Sequence, residues 1–385
     1  MSSYYRTSLL GSTDRGASMK LVTSKQALVE SLAIVSRAVS TRSSIQVLSG
    51  VLLEAGEDGV VLSATDMEKS IRAPLAARVE RAGAVVIPAR IAGDIARNLP
   101  GGDVVLEQRL GETQVEIRAG ESVFDLHSLP AVDFPQLPRL TGEEFTVGKT
   151  AFLETVERVA PAASRDETRP VLTGVLIHLT KQSVRMVATD SYRLSVKETP
   201  LESSVSGSLQ VIVPSTALKD LVHLAQSASD DILRVIATEN QICFRVGGIS
   251  LVSRLIDGQF PNYRQLIPET FDYEVAVDRE ELLEAIRRVS LLAQKNAPLR
   301  LRFAQNTLAI SAESQEVGKA YEAVPVQYSG DELEIGFNPE FLEAGVAAVK
   351  DSPVYLRFIS PLRPGLIKGA GDDFLYLVMP IRLSD

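Results

Sequence analysis

From residue 173 to 194 the chain reads TGVLIHLTKQSVRMVATDSYRL. Its apolar and β-branched positions predict two strands, 175–180 and 184–188, with Lys181-Gln182-Ser183 as the turn between them. A polar loop, Thr189 to Arg193, follows. An earlier stretch, SGVLLEAGEDGVVLSATDMEKSI from Ser49 to Ile71, carries the same pattern: Gly50, Val51, Leu62 and Thr65-Asp66 stand 124 residues before Gly174, Val175, Met186 and Thr189-Asp190. Self-similarity at a fixed offset marks a repeated structural unit, and this one is domain-sized, too long for a solenoid repeat.

Around that hairpin the pattern alternates between periods of two and of 3.6. In the first unit a strand begins at Met19, and Ser24 caps a helix over 25–38 whose Leu28, Leu32 and Val35 share one face. After the hairpin come a strand, a helix over 89–98 stopped by Pro100-Gly101-Gly102, another strand, and a closing strand over 123–129. The second unit repeats the order, with a helix over 150–162 presenting Phe152, Val156 and Val159. Pro214 trails Pro88 by 126 residues, and Phe260-Pro261 trails Phe134-Pro135 by the same 126. The third unit keeps the rhythm: a helix over 278–293, a hairpin whose Ile310 trails Met186 by 124, a strand-turn-helix, and a last strand over 374–383.

The predicted fold is therefore α+β: three tandem similar domains, each with two helices packed on antiparallel sheet. Their expected limits are 19–140, 141–269 and 270–385, joined by short links, with residues 1–18 read as a disordered extension. Three such domains in a row leave sheet edges unpaired at both ends, a liability that a second copy removes.

Composition narrows the function. The 385 residues are 45% hydrophobic and 23% charged, and no stretch approaches eighteen apolar residues, so no membrane span is expected. The single cysteine, Cys243, lies among strand-like residues and reads as a buried inert thiol, which fits a reduced cytoplasmic setting. His127, His178 and His223 lack metal-ligand spacing, so neither a metal nor another cofactor is expected. The net charge of −9, taken alone, argues against nucleic acid.

Three tandem domains, the sequence TDSYRL, the segment LIDGQFPNYRQLIP and the terminal VMPIRL together resemble the bacterial replicative sliding clamp family, the β subunit of the DNA polymerase III holoenzyme. The resemblance spans Met19 to Leu383. It implies a non-catalytic processivity factor with no catalytic residues. The expected assembly is a head-to-tail homodimer whose six domains form a ring around double-stranded DNA, without sequence preference. The implied partners are a second copy, the replicative polymerase subunit, the clamp loader and other proteins bearing a clamp-binding motif.

The resemblance also implies a partner-peptide pocket made of Leu172, Thr189, Ser191, Tyr192, Arg193, Leu194, Pro261, Gln265, Leu266, Leu377, Met379, Pro380, Ile381 and Arg382. The leucines, Met379 and Ile381 suit an apolar wall, while Arg193 and Arg382 are expected to reach backbone carbonyls or a peptide carboxylate. Family members often carry Gly-His where this chain has Ser191-Tyr192, a change that bears on partner preference. Arg42, Arg90, Arg97 and Arg165 are the expected phosphate contacts. Phe124 is expected to meet Leu291 and Leu292 of the partner copy. Alternatively, each of these is an ordinary strand, core or solvated-face residue.

The charge distribution supports DNA only weakly. The six predicted helices sum to +1 and the rest of the chain to −10. Two rival functions follow. A nucleotide-binding enzyme would use Gly148-Lys149-Thr150, but five residues rather than four separate Gly142 from Gly148, and Glu143-Glu144 would face the phosphate. A three-domain interaction scaffold without DNA shares the fold and the pocket.

Overall fold

A computed structural model describes residues 18–40, 43–201, 207–293, 297–371 and 373–383. Contact density divides the chain into two units, one combining residues 1–144 with 223–254 and the other combining 145–222 with 255–385. The strand pairings described below are antiparallel.

In the first unit, strands Ala77–Arg81, Met19–Ser24, Asp103–Gln108, Gln114–Ala119 and Ser122–His127 form a five-stranded sheet in that order. A larger sheet runs Leu129–Pro130, Gly83–Pro88, Gly50–Gly56, Gly59–Thr65, Lys69–Leu75, Ile249–Arg254, Gln241–Val246 and Ile232–Ala237. Helix Lys25–Val35 starts where Ser24 Oγ accepts the Ala27 N–H at 3.1 Å. It buries Leu28, Leu32 and Val35, as the 3.6-residue period requires. The helix is shorter than the spacing predicts, because residues 36–38 tighten into a 3-10 turn. Helix Ala89–Asn98 packs beside it.

In the second unit one sheet runs Leu209–Pro214, Gly174–Leu179, Ser183–Thr189, Arg193–Pro200, Phe374–Val378, Gly365–Lys368, Val354–Phe358 and Tyr273–Val277. The other runs Gly318–Pro325, Thr307–Ser314, Leu299–Ala304, Leu333–Phe337 and Pro380–Ile381. Helix Lys149–Val159 buries Phe152, Val156 and Val159. Asp278 caps helix Arg279–Ser290, and Asn338 caps Pro339–Ala348. A core of Phe303, Phe358 and Phe337 rings, with centroids 5.2 and 6.1 Å apart in succession, holds the third repeat together.

The last strand corrects the sequence reading. Residues 374–383 are not one strand. Phe374–Val378 belongs to the first sheet of this unit and Pro380–Ile381 to the second. Pro380 has no N–H for a ladder, and the Met379 N–H turns to the Tyr192 carbonyl at 2.8 Å, so the ladder is broken there.

Candidate functional site

The loop between strands Ser183–Thr189 and Arg193–Pro200 is tied by its own side chains. Asp190 Oδ1 accepts the N–H groups of Tyr192 and Arg193 at 2.9 and 3.0 Å. The Thr189 hydroxyl donates to the Arg193 carbonyl at 2.7 Å and accepts the Ser191 N–H at 3.2 Å. This closure drives Ser191 to φ 80°, where a serine is strained and a glycine would not be. Ser191 Oγ accepts a hydrogen bond from Arg169 at 3.0 Å.

Arg193 reaches a backbone carbonyl of its own chain. Its guanidinium is buried, with Nε on Asp190 Oδ2 at 2.9 Å, Nη2 on the Pro161 carbonyl at 2.8 Å and Nη1 3.4 Å from the Tyr376 hydroxyl. It also lies 4.4 Å over the Phe341 ring. Three of its five N–H groups are thus held within the chain, so it braces the loop while also lining the hollow above it. Burial pushes the Tyr376 phenol up to about 12, although the neighbouring Arg193 opposes the rise.

Above this scaffold lies a hollow of about 550 Å³. Nine of the sequence-predicted residues line it: Thr189, Ser191, Tyr192, Arg193, Leu194, Gln265, Leu266, Leu377 and Met379. Its floor is rigid, since Leu194 and Leu377 are buried against Leu176, Val187, Tyr263 and Leu366. Its mouth is apolar yet open: Tyr192, Leu266 and Met379 are about half exposed or more, and Leu362 is 68% exposed. Tyr192 stacks on Phe341 at 6.5 Å, fixing one wall.

Five predicted residues lie elsewhere. Leu172 is buried in the short helix Pro170–Thr173. Pro261 is exposed and gives its carbonyl to the Tyr263 N–H. Pro380 and Ile381 pair with Phe337 and Gly336 across the second sheet, and Arg382 is exposed beyond them. The sequence reading missed Pro268, Glu269, Thr270, Ile359, Leu362, Arg363 and Pro364. A signal for that last cluster was present: Leu362 is an apolar residue bracketed by Pro361 and Pro364, a loop that cannot bury it in a strand. Glu269 and Arg363 join Arg193 as the charged residues of a lining that mixes apolar side chains with Thr189, Ser191, Gln265 and Thr270.

The other expected sites are dispersed. Arg90 and Arg97 are exposed on helix Ala89–Asn98, and Arg97 pairs with Asp94 at 2.5 Å. Arg165 is 90% exposed and 4.0 Å from Glu340. Arg42 lies outside the described residues. A further cation, Lys219, belongs to the Arg165 patch: burial lowers its ammonium pKa, and the nearby Arg165 and Arg193 lower it further. Phe124 is exposed on Ser122–His127, the edge strand of its sheet, while Leu291 is 82% exposed and Leu292 partly buried after helix Arg279–Ser290. Gly148, the core of the nucleotide-binding alternative, ends strand Glu144–Gly148 and caps helix Lys149–Val159 with no side-chain cap. Among the described residues no group of three or more His, Cys, Asp or Glu could hold a metal ion, and no helix is long and apolar enough to cross a membrane.

A thrice-repeated strand-and-helix unit, carrying a half-exposed groove over a buried apolar floor, defines a three-domain clamp fold. The family models for the N-terminal, central and C-terminal domains of the DNA polymerase III beta subunit match residues 19–138, 146–262 and 264–382. The chain belongs to that family. It is 36% identical over 380 residues to a beta sliding clamp of Streptomyces coelicolor, covering 95% of this chain and 100% of the relative. It is 37% identical over 375 residues to one of Synechococcus elongatus, with the same coverage. Its fold matches a sliding clamp of Pseudomonas aeruginosa bound to griselimycin, at TM-score 0.87 and 30% identity, covering 95% of this chain and 100% of that one.

Proposed function

We propose that the groove lined by Tyr192, Leu266, Leu362 and Met379 receives an extended peptide of the replicative polymerase, and by turns of the clamp loader and other clamp-binding proteins. The chain is a sliding clamp, a non-catalytic processivity factor of DNA replication. The observation that carries the peptide reading is the pairing of a preformed apolar floor with a half-exposed apolar mouth, which a peptide can cover without reorganising the protein. The related Pseudomonas clamp holding griselimycin supports the same use of the fold.

The proposed assembly is a homodimer, with domains at 19–140, 141–269 and 270–385 in each copy and six in a closed ring around duplex DNA. Phe124 on its free edge strand and the exposed Leu291, with Leu292, are the proposed apolar contacts between copies. Arg90, Arg97 and Arg165, joined by Lys219, are the proposed phosphate contacts, as is Arg42. Their modest number is consistent with topological retention. Counterion-release binding weakens steeply with salt, whereas a closed ring needs only to stay closed. The proposed location is the bacterial cytoplasm, on the nucleoid.

The test is retention on DNA. Clamp is loaded on nicked circles by its clamp loader with ATP, and the template is then cut. Retention on circles and loss from cut ends is the expected result. Equal behaviour on both would overturn the ring and leave an interaction scaffold. Charge reversal at Arg97 and Arg165 tests the contacts: unchanged loading and retention would remove both from the DNA surface.

A further inference from the structure

The first unit contains a second copy of the groove-building loop. In the turn between Gly59–Thr65 and Lys69–Leu75, the Thr65 hydroxyl donates to the Lys69 carbonyl at 2.7 Å and accepts the Met67 N–H at 3.0 Å. Asp66 Oδ1 accepts the N–H groups of Glu68 and Lys69 at 3.0 and 2.8 Å. Met67 takes φ 75°, as Ser191 takes 80°. The Arg254 N–H donates to the Glu68 carbonyl at 2.9 Å, as the Met379 N–H donates to Tyr192 at 2.8 Å. Over this loop lies a hollow of about 250 Å³, lined in part by Met67, Glu68, Lys69, Leu137, Val252 and Arg254.

The scaffold is shared and the lining is not. Glu68 stands where Tyr192 does and Arg254 where Met379 does, and the two meet across the mouth at 3.5 Å. Both are largely exposed, so the pair is weakly held and exchangeable. Lys69 and Arg254 line the hollow against Glu68, a net charge of +1, while Asp66 is occupied by its own loop. Arg72 and Arg139 stand close to each other beyond it, with Glu54 near Arg72. Arg72 reaches the Leu137 carbonyl at 3.3 Å, and its ionisation is depressed by burial and by Arg139. Met67 supplies an apolar surface, 51% exposed and held in a backbone conformation that a long side chain rarely adopts.

We infer that this hollow is a second docking site, taking an extended acidic segment of a partner protein, with a ligand carboxylate displacing Glu68 from Arg254 and an apolar neighbour resting on Met67. The inference goes beyond the groove reading and does not require it. The two sites differ in what they select: an apolar segment at the groove, an acidic one here.

The chain has five methionines, and their placement supplies the test. Met67 reports the second hollow and Met379 the groove, while Met19 and Met186, both fully buried, report the fold. Methyl-labelled full-length protein is titrated with an acetylated Glu-Leu-Asp-Leu-Pro peptide and with its Lys-Leu-Lys-Leu-Pro counterpart. The expected result is a saturable Met67 shift with the acidic peptide alone. Arg254→Glu weakens it at least tenfold with Met19 and Met186 unmoved, and Glu68→Ala strengthens it a few-fold. A silent Met67, an equal response to both peptides, or an unchanged response in Arg254→Glu overturns the inference. A moving Met67 beside a Met379 that no apolar peptide shifts would keep this site and count against the groove.

Discussion

Two seams join strands that are far apart in sequence, and they are built differently. In the first unit Lys69–Leu75 pairs with Ile249–Arg254, setting Ile71 opposite Leu251 and Ser70 opposite Val252. The seam rests on the ladder and on apolar contact, with the Arg254–Glu68 pair exposed at its end and Arg72 turned to the Leu137 carbonyl rather than to the opposing strand. In the second unit Arg193–Pro200 pairs with Phe374–Val378, and cations are buried along it. Lys197 Nζ meets Asp373 at 2.7 Å, Arg158 lies 4.3 Å over Phe374, and Arg193 reaches Tyr376. Lys197 and Arg193 thus find partners beside or on the opposing strand, whereas Arg158 Nε is buried without a hydrogen-bond partner. The lesson is about fragility. A buried charge adds little when paired but costs heavily once its partner is lost, so the seam beneath the large groove is the one a single change can open.

The largest expected effect breaks that asymmetry at its centre. Arg193→Ala leaves Asp190 without its charge partner and the Pro161 carbonyl without its donor, a loss of about 3–5 kcal/mol. Lys69→Ala, at the matching position of the first seam, should cost about 1 kcal/mol or less. Hydrogen exchange read separately over 374–378 and 249–254 checks the pair, and equal deprotection of both strands in either variant would refute the comparison.

Next is Gly336→Ala. A Cβ there would sit 2.6 Å from Leu383 Cδ2 and 2.9 Å from the Ile381 carbonyl. Overpacking of this kind costs about 1–3 kcal/mol. It should release Pro380–Ile381 from its sheet and lower peptide affinity at the groove through Met379. Protected amides at 381–383 in the variant would show the tail still docked.

Two pH effects sharpen the contrast, because both groups belong to the second seam. The Tyr376 phenol is raised to about 12 by burial, so the folded chain holds a proton that the unfolded chain gives up. That stability is whole below pH 10 and is lost from there towards 12, on the order of 2 kcal/mol. Tyr376→Phe should flatten the alkaline slope of a denaturation series. The smallest effect is at Asp373. Burial alone would raise its pKa, but the Lys197 ammonium overcomes this and holds the carboxyl below its ordinary value. Its contribution is present above about pH 4 and fades as pH falls through the depressed value. The half-exposed side chain keeps it small. Asp373→Asn should remove that acid-side slope; an unchanged slope would assign it to other carboxylates.

What the sequence revealed follows from what periodicity can report. The faces of helices and strands are local properties, so Leu28, Leu32, Val35 and the hairpin repeat were legible, and so was the Thr189 to Leu194 run of the groove. The seams were not, because pairing Lys69–Leu75 with Ile249–Arg254 is a long-range choice that leaves no local mark. The internal partners of Arg193 were hidden for the same reason: Pro161, Phe341 and Tyr376 come from three distant segments. The break at Met379 hides in a run that alternates well enough to pass for one strand.

The split of the last strand also sets when the groove can exist during folding. Its wall needs Leu377 and Met379, and its seam needs Phe374–Val378. Arg193 and Tyr376 lie 183 residues apart, so the entropy of closing that long loop must be met before the arginine has this partner or the hollow has its floor. A chain that has formed only its local hairpins therefore carries the loop of Thr189 to Arg193 with no groove beside it.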